Sequence, residues 1–261
     1  MNMHPPHDFA GFFPMIRVGS DFALPTYYVV VSLSLCACVY WLVRRAEKRA
    51  LRRNTALDLA LTCMIGGFVG ARLFHVFFEE PGYYFEDLSR VLEIWRGGFV
   101  WYGGAIGGAL TSIALARWQK LPIAKWLDVF APILALGYAL GRVACLFTGC
   151  CYGAVCVLPS GFSFRYPTQA FAVVWELAAL ALVLRIEKKR SEGKSPSVLR
   201  SAGSLFACWL VIHAVGRLIM EFFRADPRGP APLGLSLASW ISVSLFVGAG
   251  SWIWLVNKRR A

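Results

Sequence analysis

Seven long apolar runs, separated by short polar stretches, make up most of this chain. They are Leu24–Val43, Leu57–Phe78, Phe99–Ala116, Leu127–Thr148, Thr168–Ile186, Gly203–Phe223 and Gly234–Val256. A helix rising 1.5 Å per residue needs about 17–25 apolar residues to cross a bilayer. Each run meets that length, and none alternates apolar and polar residues as a half-buried strand would. Only the fifth carries a carboxylate near its middle, Glu176. The pattern predicts an all-α integral membrane protein with seven transmembrane helices. It forms a single polytopic domain over residues 1–261, with no internal repeat.

Charge then orients the helices. Eighteen of the 27 Lys and Arg residues lie at the end of, or after, runs one, three, five and seven. Among them are Arg44, Arg45, Lys48, Arg49, Arg52 and Arg53 after the first, and Lys258, Arg259 and Arg260 at the end. Cytoplasmic loops carry this excess. It predicts an N-terminus outside, a C-terminus in the cytoplasm and hence an odd number of spans. The net charge of +12 is then explained by insertion and by anionic membrane lipid, with no need for nucleic acid. Residues 1–23 lack a basic n-region and an apolar h-region, so no cleavable signal peptide is expected. His4–Phe22 reads instead as an outer stretch lying at the interface.

Three arginines fall well inside the apolar runs, away from their ends: Arg72, Arg142 and Arg217. Each costs about 2.5–3.5 kcal/mol at mid-bilayer on insertion scales. The planar guanidinium fork grips phosphate through paired charge-assisted hydrogen bonds. A membrane-embedded site for an anionic lipid headgroup is therefore expected, and internal ion pairing is the structural alternative.

Four segments surround these arginines. Gly97-Gly98-Phe99-Val100-Trp101-Tyr102-Gly103-Gly104-Ala105-Ile106-Gly107-Gly108 enters the third run. Its glycines let backbones approach closely, and Tyr102 sits between two pairs of them. Gly141-Arg142 leads through Cys145 to Gly149-Cys150-Cys151-Tyr152-Gly153, with Cys156 beyond. This spacing matches no standard zinc pattern; a disulfide, or a reactive thiol among Cys145, Cys150 and Cys151, is the alternative. His213, Arg217 and Glu221 come at i, i+4 and i+8 on one helical face, where Arg217 and Glu221 can pair. Tyr166-Pro167-Thr168-Gln169 reads as a helix entry with Thr168 as N-cap.

In this order the segments resemble the prolipoprotein diacylglyceryl transferases, bacterial inner-membrane enzymes. That family's stretches are GG-x3-HGG-x-IG, GR-x2-N-x3-GE-x2-G, an HPSQLYE-like segment and R-x3-EFFR. Here they are matched by Gly97 to Gly107, by Gly141 to Gly153, by Tyr166 to Gln169 and by Arg217 to Arg224. Gly70-Ala71-Arg72 resembles the family's GGR, and Tyr27 falls where the family has a functional tyrosine. The resemblance covers roughly residues 20–256. It implies transfer of a diacylglyceryl group from phosphatidylglycerol to the lipobox cysteine of a prolipoprotein, without metal or other cofactor. Arg142 and Arg217 would clamp phosphate with Arg72 supporting, and Glu221 would orient Arg217. Tyr27 and Tyr102 would donate hydrogen bonds, and Gly103, Gly104 and Gly153 would line the lipid site. Five polar positions depart from the pattern. The histidine of HGG is Tyr102, and the asparagine and glutamate of the second signature are Cys145 and Cys150. The histidine and glutamate of HPSQLYE are Tyr166 and Ala172. Two other readings stay open: altered thiol chemistry at Cys150 or Cys151, and a lipid-binding membrane protein without turnover.

Overall fold

The computed structural model describes residues 15–18, 22–94, 97–159, 162–225 and 232–258. All seven apolar runs form helices, here α1 (Thr26–Lys48), α2 (Arg53–Phe74), α4 (Trp101–Trp118), α5 (Ile123–Thr148), α6 (Thr168–Ser191), α7 (Ser204–Glu221) and α8 (Leu237–Lys258). A short α3 (Pro81–Glu86) lies between α2 and α4. Six of the long helices are both long and apolar enough to cross a membrane. The exception is α4, where four glycines and three Trp or Tyr side chains dilute the hydropathy of a run bounded by Trp101 and Trp118. Most of His4–Phe22 lies outside the described residues. Met15–Val18 (β1) pairs antiparallel with Phe22–Pro25 (β2), a hairpin the hydropathy pattern did not announce. A second small hairpin joins Val155–Val157 (β3) to Ser163–Arg165 (β4).

The chain divides into two compact units, one of residues 1–41 and 127–261 and one of Leu42–Trp126. The second is built on α2 and α4. Its seam is glycine against glycine. A Cβ on Gly107 would lie 2.9 Å from the Gly70 Cα, and one on Gly70 would lie 2.9 Å from the Gly107 Cα. Only glycine permits that approach. Thr111 closes the seam, its Oγ1 donating to Thr62 O at 3.1 Å. Between apolar helices in lipid, such close van der Waals packing takes over from the hydrophobic effect.

The first unit packs α5, α6 and α7 through small residues. Ala131 and Ala135 meet Ala179 and Val183, with Leu205 and Trp209 filling the centre. One end is tied by Asp128, which is 3% exposed. Its Oδ1 accepts from the backbone N–H groups of Leu205 (3.0 Å) and Phe206 (3.3 Å) in the first turn of α7. Those are orphan donors that a helix start must satisfy. Its Oδ2 holds the Arg190 guanidinium at 2.8 Å, and Arg190 donates onward to Arg200 O and Ser201 O. A single carboxylate thus locks α5, the end of α6 and the entry to α7.

Replacing Gly107 with Val should drive branched carbons into the α2 backbone, an overpacking that costs about 1–3 kcal/mol. Thermal unfolding in detergent should show a clear fall in Tm for this variant and none for Gly248→Ala, where an added Cβ meets nothing within 4 Å. Equal melting of the two would show that the seam contributes nothing to stability.

Candidate active site

In the Leu42–Trp126 unit, Arg72 is buried to 6% exposure near the end of α2. A guanidinium has five N–H donors, and all five are used here. Nε donates to Val91 O at 3.1 Å, and Nη2 donates to Arg90 O at 2.8 Å and Glu93 O at 3.3 Å. Nη1 donates to Gly98 O at 3.2 Å and, more closely, to Gly97 O. Gly97 and Gly98 both have positive φ, +82° and +81°, a conformation that turns both carbonyls toward the arginine. The Tyr84 and Phe99 rings lie 5.1 and 5.7 Å from its Cζ. Arg72, expected as a supporting lipid ligand, meets backbone carbonyls with all five N–H groups. The residue ties the backbone at Arg90, Val91, Glu93, Gly97 and Gly98 to the end of α2. Gly103 and Gly104 belong to the α2–α4 seam: a Cβ on Gly103 would strike the Gly70 backbone and Phe74, and one on Gly104 would lie 3.3 Å from Gly67 O. Tyr102 opens α4 and stacks edge-on to Trp101 at 5.3 Å.

The other arginines lie in the first unit. On α5, Arg142 donates from Nη2 to the Tyr138 hydroxyl at 2.7 Å, and its Cζ sits 4.9 Å from that ring. The i, i+4 spacing puts both on one face. The Tyr138 ring packs edge-on to His213 at 4.6 Å. His213 Nδ1 lies 2.5 Å from Glu176 Oε1, and Trp209 Nε1 donates to the other carboxylate oxygen at 3.2 Å. Glu176 is 2% exposed, so the carboxylate that looked out of place in the fifth run is the acceptor for two α7 side chains. Spacing puts His213 on the face of Arg217 and Glu221; its partner comes from another helix.

Arg217 pairs with Glu221 at 3.6 Å, as the i, i+4 spacing predicts. It also lines a small cavity, about 10 Å³, with Tyr138, Trp175, Glu176 and Gly216. Tyr138 therefore borders Arg217 on one side and holds Arg142 on the other. Tyr138 was not among the residues expected at the site, although its position four residues before Arg142 was a usable signal.

After α5 the chain makes a tight turn. Gly149 and Cys151 take positive φ, +73° and +60°. The turn is held from α6: Gln169 Nε2 donates to Cys150 O at 2.5 Å and Thr168 Oγ1 donates to Cys151 O at 2.8 Å. Thr168 is thus not the expected N-cap; its hydroxyl is committed to the turn, and Pro167 precedes the helix without a side-chain cap. The turn gathers Cys145, Cys150 and Cys151, whose sulfur atoms all lie within 4.8 Å of one another. Of the two alternatives, a disulfide or a reactive thiol, the structure has the cysteines free. Cys156 sits apart in β3, opposite Phe164. Hydrogen bonds from the Cys145 and Cys150 thiols pull the Cys151 thiol well below its ordinary range, and Arg142 and Arg224 add to this. Tyr27, at the start of α1, lies within electrostatic reach of all three thiols and of Arg142. Gly153 bridges to the backbone of Arg224, and a Cβ there would lie 2.5 Å from Tyr166 O.

Long apolar helices carrying buried guanidinium groups, one of them beside a tyrosine and a thiol turn, define a polytopic membrane protein with a polar site inside its helices. Residues 14–256 match the family described as prolipoprotein diacylglyceryl transferase, and the chain belongs to that family. It is 28% identical to the phosphatidylglycerol–prolipoprotein diacylglyceryl transferase of Clostridium tetani, over 90% of this chain and 93% of that protein. It is 30% identical to a second such transferase of Clostridium perfringens, over 93% and 95%. The Streptococcus pneumoniae transferase is 30% identical over 91% of each chain.

Replacing Arg72 with Lys should release the 88–98 segment. A lysine offers three donors from one point in place of five in a plane, and each charged hydrogen bond lost is worth about 1.5–3 kcal/mol. Amide hydrogen exchange within residues 88–94 should rise at least about tenfold. Unchanged exchange would show that the anchor is dispensable.

Proposed function

We propose that this chain transfers the diacylglyceryl group of phosphatidylglycerol to the lipobox cysteine thiol of prolipoproteins, the reaction for which its relatives are named. The observation that carries the reading is Arg142, a guanidinium inside an apolar helix whose Nη2 is held by Tyr138, with Tyr27 within electrostatic reach. In the reaction the acceptor sulfur attacks the glyceryl carbon, the carbon–oxygen bond to phosphate breaks, and glycerol phosphate leaves with the bonding electrons. The thiol proton goes to solvent. Charge therefore grows on the departing phosphate, and preorganised donors aimed there lower the barrier.

Arg142 and Arg217 are the phosphate ligands in this proposal, with Glu221 orienting Arg217. Tyr27 and Tyr102 supply hydroxyl donors. Gly153 shapes the turn beside the headgroup, while Gly103 and Gly104 keep the α2–α4 seam closed and Arg72 holds the 88–98 segment. The chain lies as a seven-span polytopic protein in the bacterial cytoplasmic membrane, N-terminus outside. The alternation of basic loops supports that orientation, and α4, helical over Trp101–Trp118, is the seventh span. Membrane lipid and exported lipobox segments are the partners.

Mixing purified protein with phosphatidylglycerol and a lipobox peptide should add a diacylglyceryl mass to the peptide cysteine. Arg142→Ala should lower the rate by about 10²–10³-fold, as the loss of one preorganised donor does elsewhere, with insertion and melting unchanged. Full activity in that variant would remove Arg142 from the site.

A further inference from the structure

We propose that Cys145, Cys150 and Cys151 form a three-thiolate zinc site whose fourth position takes the thiol of the incoming cysteine. The inference rests on the transferase reading above and names how the acceptor is activated.

The three sulfurs lie within 4.8 Å of one another. Tetrahedral zinc with bonds of about 2.3 Å places its sulfur ligands about 3.8 Å apart, so closure needs only small side-chain shifts. The cluster is built by the backbone. Neighbouring side chains in an extended segment point to opposite faces; positive φ at Cys151 breaks that rule and sends consecutive thiols to one place. A left-handed non-glycine residue costs about 1–2 kcal/mol, and here it is held by Gln169 and Thr168 from α6. Thr148 Oγ1 lies 3.5 Å from Cys150 Sγ, within reach of a ligand sulfur.

Access is one-sided. Cys150 is exposed while Cys145 and Cys151 are half-buried. Three protein ligands with one open position is the arrangement of a zinc site that binds substrate. Zinc with three thiolates carries one negative charge, and a fourth thiolate raises it to two. Arg142 and Arg224, both interacting electrostatically with Cys151, supply two positive charges in return. The spacing C-x4-C-C does not match the usual zinc patterns, because those describe closed four-ligand sites with all ligands in the chain.

Coordination deprotonates a thiol outright. The acceptor thiol would bind zinc, lose its proton to solvent and attack the glyceryl carbon as a metal thiolate, with glycerol phosphate leaving as before. No protein base is then required. That accounts for an enzyme of this family with Tyr102 where the pattern has histidine, since a phenol does not replace an imidazole as a general base.

The test is cobalt(II) titration of the purified, reduced protein, with elemental analysis of the protein as isolated. One metal per chain and a strong thiolate-to-cobalt absorption are expected. A lipobox peptide should change that spectrum, and its Cys→Ser version should not. Cys150→Ser should weaken zinc at least about 100-fold, beyond the loss seen when a supporting partner is removed, while Cys36→Ser should leave it intact. Absence of metal, or a mass two daltons low showing a disulfide in active protein, overturns the proposal. Transfer without metal overturns it while sparing the transferase reading. A peptide-dependent cobalt spectrum without diacylglyceryl transfer keeps the site and removes that reading.

Discussion

A carboxylate buried between apolar helices must be given donors, and in this fold Glu176 imposes that demand. At 2% exposure it has no water to solvate it, and an unpaired charge there would cost several kcal/mol. Trp209 and His213 supply the partners. They lie four residues apart, one turn of α7, so satisfying Glu176 fixes the register and rotation of α7 against α6. His213, held this way, presents its ring to Tyr138, and Tyr138 holds Arg142. The placement of the proposed phosphate ligand thus descends, side chain by side chain, from one buried charge.

The same constraint is solved differently elsewhere. Asp128 uses backbone N–H groups at the start of α7 together with Arg190. Arg72 uses five carbonyls, those of Arg90 and Val91 in a short 3₁₀ turn and those of Glu93, Gly97 and Gly98. Irregular backbone is tolerated near membrane depth only where its polar groups are met by protein, and one guanidinium meets five of them. The arginine and the segment therefore need each other: neither would be stable there alone.

The thiol turn is one of the points at which this chain parts from the pattern it resembles, and there it acquires something in exchange. Two polar residues of the second signature are replaced by Cys145 and Cys150, and Cys151 completes a set of three sulfurs. Three soft ligands around one point are chemically a different device from an amide and a carboxylate. In the proposed reaction Arg142 and Arg217 would handle the leaving phosphate, and the sulfurs would face the other half, the making of a nucleophile.

The hydrophobic pattern by itself determined the seven helices, because each run is long and predominantly apolar, and local composition decides that. It marked Arg72, Arg142 and Arg217 as residues needing partners, since charge in an apolar run is costly wherever the helix sits. Spacing along a single helix also sufficed for Arg217 with Glu221, as i, i+4 neighbours meet regardless of tertiary context. What only the tertiary structure decided was who the other partners are. The carbonyl partners of Arg72 were hidden, because they lie 18 to 26 residues away on a segment with no regular periodicity. Glu176 and His213, 37 positions apart, and the gathering of Cys145 with Cys150 and Cys151 by a left-handed residue were equally hidden. Helix formation is read from neighbours along the chain; the pairing of buried polar groups depends on which helices the fold brings face to face.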